Sequence, residues 1–256
     1  MIRPIKNMSY NPFSLEGKTI LVTGASSGIG RACAIECSKM GAKVIITARN
    51  EERLESTFNS LVGDNHESFI CDITSQDDLE QLVKSITSID GVVLCAGRSR
   101  SLPILFSTRE KFDEIFNVNF FAPVELLRLL CKKKKLSKGG SAVFIISIGG
   151  TKRYTPGNGI YGSSKAALQS IVNYYAVELG HKKIRVNGVN PGMVETPLIH
   201  YGTLTQEQLE QDRLKYPLER YGQPEDVAYA VNYLLSDAAS WVTGHCLVID
   251  GGISAK

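Results

Sequence analysis

Long apolar runs are missing from this 256-residue chain, and no window approaches the length needed to cross a bilayer. The first thirteen residues also lack the apolar stretch of a secretory signal. They read as part of a polar tail over 1–14, within which Met8 is an alternative start, and the chain is expected to be cytoplasmic and to bind no membrane. Charge of one sign is scarce: 29 Lys and Arg against 26 Asp and Glu leave a net charge of +3, too mild for a nucleic-acid partner. Histidine is limited to four residues, and the six cysteines, Cys33, Cys37, Cys71, Cys95, Cys131 and Cys246, have no CxxC-like spacing. No metal site is expected, and scattered thiols in apolar segments fit a reducing compartment better than a disulfide framework. Internal repeats, low-complexity linkers and shifts of composition are absent as well, so 15–256 is read as one domain.

What is present is alternation. Short runs rich in Val, Ile and Leu at 19–23, 43–48, 68–71, 91–95, 142–146, 185–189 and 246–249 suit strands covered on both faces, as in a parallel sheet. Amphipathic patterns between them, at 29–40, 51–61, 76–88, 109–135, 159–179 and 224–235, predict helices. The expected fold is α/β, a Rossmann-type doubly wound parallel sheet with helices on both faces. The longest irregular stretch, 193–221, carries a short polar helix near 205–214 and is a candidate substrate lid beyond a strand's carboxyl end.

Directly after the first strand comes Thr23-Gly24-Ala25-Ser26-Ser27-Gly28-Ile29-Gly30, opening into a helix. Gly24 suits a tight turn, Gly28 a close backbone approach to a pyrophosphate, and Gly30 the packing of helix on strand. The helix start then offers free N–H groups and a positive dipole end to the phosphates. Further along stand Asp72-Ile73 after the third strand, Asn119 in a long helix, and Tyr161-x3-Lys165. Pro191-Gly192 with Thr196 and a closing Asp250-Gly251-Gly252 complete the series. With its Gly-x3-Gly-x-Gly spacing, this series resembles the short-chain dehydrogenase/reductase family over Gly17 to Gly252. Residues 217–252 look particularly like 3-oxoacyl-(acyl-carrier-protein) reductases.

The resemblance implies a nicotinamide-dependent oxidoreductase acting on a small-molecule carbonyl or alcohol. It assigns cofactor contacts to Gly24, Ser26, Ser27, Gly28, Ile29, Gly30, Asp72, Ile73, Ala96, Gly97, Tyr161, Lys165, Pro191, Gly192, Val194 and Thr196. Asp72 and Ile73 would meet the adenine, and Val194 with Thr196 the carboxamide; read alone, Asp72 also suits a cap for the helix starting near Ser75. At the end of the second strand, Ala48 stands where NAD-preferring relatives carry an aspartate, and Arg49 follows at once. A guanidinium matches a 2′-phosphate, so NADP(H) is expected over NAD(H), although Ser27 replaces the second basic residue of many NADP enzymes.

Tyr161 and Lys165 are four apart on a predicted helix and share a face. A phenol is a weak acid–base catalyst at neutral pH, and a nearby ammonium is expected to lower its pKa toward the working range. By resemblance Lys165 also holds the nicotinamide ribose, and Asn119 anchors a water leading protons to that lysine. A serine should orient the carbonyl. Counting thirteen residues back from Tyr161, as in relatives, gives Ile148, whereas counting along the strand 142–146 gives Ser147. Ser147 is the preferred reading, because a strand fixes facing residue by residue while the glycine-rich loop 149–160 absorbs an extra residue cheaply.

Cys95 stands where relatives close the fourth strand with asparagine, which bears on local stability; as a buried thiol it is expected to be inert. Lys132–Lys135 is read as solvated cations complementing a helix C-terminus, with docking of an acidic carrier protein as the alternative; Val177 lacks an arginine that carrier-protein reductases show. Phe121, Tyr174 and Tyr175 are interface material for an expected homotetramer or homodimer. The substrate face is drawn from 98–106, 153–158 and 193–221, with Tyr154, Leu198 and Tyr201 beside polar residues. A non-catalytic nucleotide-binding scaffold with an impaired site is the alternative reading, resting on the displaced serine and Cys95.

Overall fold

The computed structural model describes residues 10–200 and 205–255, the side chains of Leu198, His200 and Gln206 apart. Met8, Tyr201 and the Leu198 side chain therefore lie outside the described residues. Strands β1 (Thr19–Thr23), β2 (Lys43–Ala48), β3 (Glu67–Ile70), β4 (Ile89–Leu94), β5 (Leu136–Ile145), β6 (Arg185–Pro191) and β7 (Cys246–Ile249) form one parallel sheet in the order β3-β2-β1-β4-β5-β6-β7. The order reverses between β1 and β4, which opens a crevice beyond their carboxyl ends.

Side-chain alternation along each strand divides the core in two. Leu21 joins Val92, Phe144, Leu126 and Leu168 on one face, under helices α3 (Gln76–Ser85), α5 (Ala122–Lys132) and α6 (Gly159–Leu179). Ile20 and Val22 join Val44, Val93, Cys33 and Val231 on the other, under α1 (Gly28–Lys39), α2 (Glu51–Phe58) and α9 (Pro224–Leu235). The expected doubly wound architecture is the one observed. No helix among the described residues is long and apolar enough to cross a membrane.

Element ends differ from expectation where tertiary contacts intervene. β5 starts at Leu136, which pairs with Ile89 before a register shift carries Gly91 to Ser141. The helix expected over 109–135 is α4 (Arg109–Phe116), a π turn at Asn117–Phe121, then α5; it stops at Lys132, and Lys134 takes a φ of 56°. After β6 come the short α7 (Pro197–His200) and then α8 (Gln206–Arg213), whose start is fixed by a capping box between Thr205 and Gln208. This insert has an apolar anchor of its own, Leu209, Tyr216 and Tyr221. The Tyr221 hydroxyl donates within it to the Leu209 carbonyl at 3.0 Å, and the Met193 amide donates to the Tyr216 hydroxyl at 3.2 Å.

Candidate active site

The turn after β1 is built by contacts that exclude side chains. Gly24 has a φ of 66°, and a Cβ there would lie 2.8 Å from the Ala96 Cα; a Cβ on Gly30 would collide with the Gly24 carbonyl. Gly28, at φ 52°, faces Thr196 across the crevice, 3.0 Å from where its Cβ would be. The N-cap of α1, Ser27, makes no side-chain capping bond, and the first turn carries no acidic residue. The helix start thus keeps amides and positive dipole end for an anion, which fits a dinucleotide pyrophosphate. Gly24, Ser26, Ser27, Gly28, Ile29 and Gly30 all lie in this turn and the helix start that follows it.

At the end of β2, Arg49 is exposed and its Nη1 lies 3.6 Å from the Asp72 Oδ2. Burial pushes the Asp72 carboxyl up, but the Thr74 hydroxyl and amide, with Arg49 beside them, hold it below its ordinary value. Ser75, rather than Asp72, caps α3, its hydroxyl accepting from the Asp78 amide. Asp72 instead closes a turn on Thr74 at 2.9 Å and 2.7 Å, next to the buried Ile73.

The opposite wall is α6 and the loop before it. Ser147, not Ile148, stands beside Tyr161. A Cβ placed on Gly149 would lie 3.2 Å from the Ser147 Oγ and 3.7 Å from the Tyr161 Cε1. The Ser147 Oγ accepts from the Gly149 amide at 2.9 Å and, beside the phenol, favours its ionised form. Ile148 is 5% exposed, in the core. The additional loop residue is taken up by a turn in which the Ile148 carbonyl accepts from the amides of Thr151, Lys152 and Arg153. Gly150, at φ 83°, lies flat on α6, where a Cβ would collide with the Gly162 carbonyl. That close approach seats the serine next to the tyrosine.

Lys165 is buried, donates to the Ile145 carbonyl at 2.8 Å and lies 5.8 Å from the centre of the Tyr161 ring. Burial pulls its ammonium down to about 8, with Cys95 opposing. Burial pushes the Tyr161 phenol up, and the relief comes from Ser147. The expected lowering of the phenol by the ammonium is thus not found in the chain itself, because desolvation dominates both groups. Asn119 sits in the π turn, a frequent device at functional sites. Its amide donates to the Arg98 carbonyl at 2.9 Å and the Ser164 hydroxyl at 3.0 Å, and its oxygen accepts from the Arg98 amide at 2.8 Å. Asn119 and Lys165 both flank Gly97, whose Cβ would stand 3.2 Å from Oδ1 and 3.5 Å from Nζ.

Ala96 and Gly97 follow β4 through Cys95, where Thr23 does the tying. Its hydroxyl accepts from the amides of Cys95 and Ala96 at 3.0 Å and 3.3 Å, which joins the ends of β1 and β4. Burial pushes the Cys95 thiol up to about 12, against the pull of Lys165, so it is not a nucleophile at neutral pH. All six cysteines are free, and no cluster of metal-ligating side chains occurs among the described residues. Pro191 and Gly192 close β6, the Pro191 carbonyl accepting from Ile148 at 3.0 Å and the Gly192 amide donating to Ile249 at 2.9 Å. Val194 bridges to Gly222, and Thr196 ends beside Gly28.

The π turn, Ser164 beneath Asn119 and the Thr23 tie are not visible as patterns. Phe121 and Tyr174 are exposed on α5's approach and on α6, whereas Tyr175 turns inward and donates to the Val124 carbonyl at 3.0 Å. Of the basic run, Lys135 donates inward to the Ile86 carbonyl, leaving Lys132, Lys133 and Lys134 in solvent.

A glycine cradle at a topological switch point, facing a Ser-Tyr-Lys group, defines a dinucleotide-dependent oxidoreductase. A family model described as enoyl-(acyl carrier protein) reductase matches residues 24–254. The 3-oxoacyl-(acyl-carrier-protein) reductase FabG of Rickettsia prowazekii is 37% identical over 239 residues, covering 93% of this chain and 98% of that protein. A solved 3-ketoacyl-(acyl-carrier-protein) reductase from Brucella melitensis, complexed with NADH, is 31% identical with a TM-score of 0.86, over 94% of this chain and 100% of that one. A solved NAD(P)-dependent dehydrogenase from Beutenbergia cavernae, with bound NADP, is 28% identical with a TM-score of 0.86, over 96% and 100%. The chain belongs to the short-chain dehydrogenase/reductase family and is an NAD(P)-dependent oxidoreductase.

Proposed function

We propose that the chain is an NADP(H)-dependent enzyme interconverting a small-molecule carbonyl and its alcohol, with Tyr161 as the acid and base. The convergence of Ser147, Tyr161 and Lys165 opposite the glycine cradle carries this reading. When bound, the nicotinamide supplies or accepts the hydride. The Ser147 hydroxyl orients the substrate oxygen and stabilises its developing negative charge, and the protonated Tyr161 delivers a proton to it. Lys165 lies behind the phenol, and with Asn119 at Gly97 it forms the route by which Tyr161 recovers its proton. Gly24, Ser26, Ser27, Gly28, Ile29 and Gly30 hold the pyrophosphate. Asp72 and Ile73 flank the adenine; Ala96, Gly97, Pro191, Gly192, Val194 and Thr196 line the nicotinamide half.

Arg49 is the ground for NADP(H). Its exposed guanidinium, with no carboxylate on Ala48 beside it, suits a 2′-phosphate. Residues 15–256 act as one catalytic unit, with 193–221 as lid over the crevice. The exposed Phe121 (55%) and Tyr174 (63%) support a homodimer or homotetramer. The scaffold reading has less to rest on, since a serine hydroxyl does stand at the phenol and Thr23 replaces the missing tie. With NADPH and a panel of ketones, the protein should show ketone-dependent oxidation of NADPH. Tyr161→Phe should lower turnover by about three orders of magnitude with NADPH binding nearly retained, a loss in the range of general acid catalysis. A fully active Tyr161→Phe variant would overturn the mechanism.

A further inference from the structure

We infer that Arg153 anchors an acidic group on the substrate, so that the preferred carbonyl compound is an acid, a carboxylate or a phosphate ester. This rests on the function just proposed and adds to it the chemical class of the substrate. Arg153 belongs to the loop that seats the catalytic serine. Its carbonyl accepts from the Gly150 amide at 3.0 Å, and it pairs in a bridge with Gly149, the residue lodged between the Ser147 and Tyr161 side chains. The side chain leaves this point toward α8, from the serine loop to the 193–221 insert, and so spans the two borders of the substrate cleft.

The side chain is 32% exposed, and its guanidinium makes no hydrogen bond to any described residue. Its nearest carboxylate oxygen, Asp212 Oδ1, is 3.7 Å away. Asp212 has other partners, accepting from the Tyr221 hydroxyl at 3.1 Å and from Lys215 at 3.3 Å. Other arginines around the cleft are matched at short range: Arg98 and Arg100 reach Glu114 at 2.9 Å and 2.5 Å, and Arg213 reaches Glu195 at 2.6 Å. Held only by this loose ion pair, the fork of five donors keeps its hydrogen-bonding capacity for a ligand at the cleft border. An incoming acid supplies two oxygens in the plane of that fork and replaces a loose ion pair with charge-assisted hydrogen bonds.

The test uses the full chain with NADPH and matched substrates: 2-, 3- and 4-keto acids against their methyl esters, and dihydroxyacetone phosphate against dihydroxyacetone. At least one acid should exceed its neutral partner in kcat/KM by about tenfold or more, mainly through KM, in the range of charged-pair contributions to recognition. The keto-acid and phosphate arms separate the two sources of negative charge. Arg153→Gln should erase at least tenfold of the preference, Arg153→Lys should restore part of it, and Asp212→Asn should strengthen it. Equal turnover of acid and neutral partners, or equal losses for both in Arg153→Gln, overturns the inference and makes Arg153 a lid contact only. If no ketone is reduced, the proposed function itself fails. The anchor is then read from calorimetry of the NADP⁺-loaded protein, where levulinate should bind at least tenfold tighter than methyl levulinate and lose that margin in Arg153→Gln. Equal binding of the two overturns it.

Discussion

Replacing Lys165 with methionine should stabilise the protein while removing its activity. The reason is electrostatic. Lys165 is 4% exposed and its ammonium faces the Ile145 carbonyl and the Cys95 thiol, with no carboxylate to offset its burial. Folding lowers that pKa from 10.5 to about 8, which at about 1.4 kcal/mol per tenfold corresponds to a cost of roughly 3 kcal/mol for burying the charge. The cost is fully present below pH 8, where folded and unfolded chains are both protonated, and it fades as pH rises toward 10.5, because the unfolded chain then binds the extra proton. Methionine fills much the same space, but it leaves the Ile145 carbonyl without this donor, a loss of about 1 kcal/mol. At pH 7 the nucleotide-free variant should therefore be more stable by about 2 kcal/mol, or about 4–8 °C in Tm for a chain of this size.

Urea unfolding of both proteins from pH 6.5 to 10 is the assay, read as the difference between them. The difference is essential because burial also pushes up the thiols of Cys71 and Cys246, to about 11, and Cys95, to about 12. Those thiols ionise first in the unfolded chain and erode stability above pH 9 in either protein, a slope the difference cancels apart from the share of Cys95 that Lys165 itself sets. The gap should be widest below pH 8 and close as pH approaches 10. A variant less stable than the wild type at pH 7, or a gap independent of pH, would refute the reasoning. The outcome expected is the usual conflict between a buried functional charge and stability.

Two further outcomes follow from the site. Ser147→Ala should lower kcat/KM about 10²–10³-fold, the range for loss of an oxyanion donor, with the fold intact. Ile148→Ala should instead cost about 2–4 kcal/mol of stability through the cavity it leaves. Activity assays and unfolding curves on the same preparations check both, and the reverse pattern would mean that the register of the loop is misassigned. Arg49→Gln should shift the ratio of NADPH to NADH affinity toward NADH by about tenfold or more, as expected for loss of a charge-assisted phosphate contact. Titration of cofactor fluorescence measures it, and an equal loss for both nucleotides would sink the NADP(H) assignment.

Much of this was legible beforehand because it is local. The buried strands announce themselves as runs of Val and Ile, and the order of strand, glycine turn and helix around Gly24, Gly28 and Gly30 is contiguous in the chain. Tyr161 and Lys165 share a face by helical spacing alone. Other features depended on long-range contacts and could not be read. The start of β5 at Leu136 is set by pairing with Ile89, and the cap on α3 fell to Ser75 because Asp72 was drawn into a turn with Thr74. The helix interruption at Asn117–Phe121 leaves Asn119 able to bind both Arg98 and Ser164.

By itself, then, the sequence determined the doubly wound sheet, the glycine turn that opens α1 and the Tyr161–Lys165 pair, since periodicity and short spacing dictate each of them. Which residue meets the tyrosine was decided only in three dimensions. Gly150 rests against Gly162, the loop turns over the Ile148 carbonyl, and Ser147 rather than Ile148 is left at the phenol. The tertiary structure also reversed the sign expected for Tyr161. Spacing places a cation near it, but burial weakens that cation and desolvates the phenol together, and burial is a property of the packed molecule.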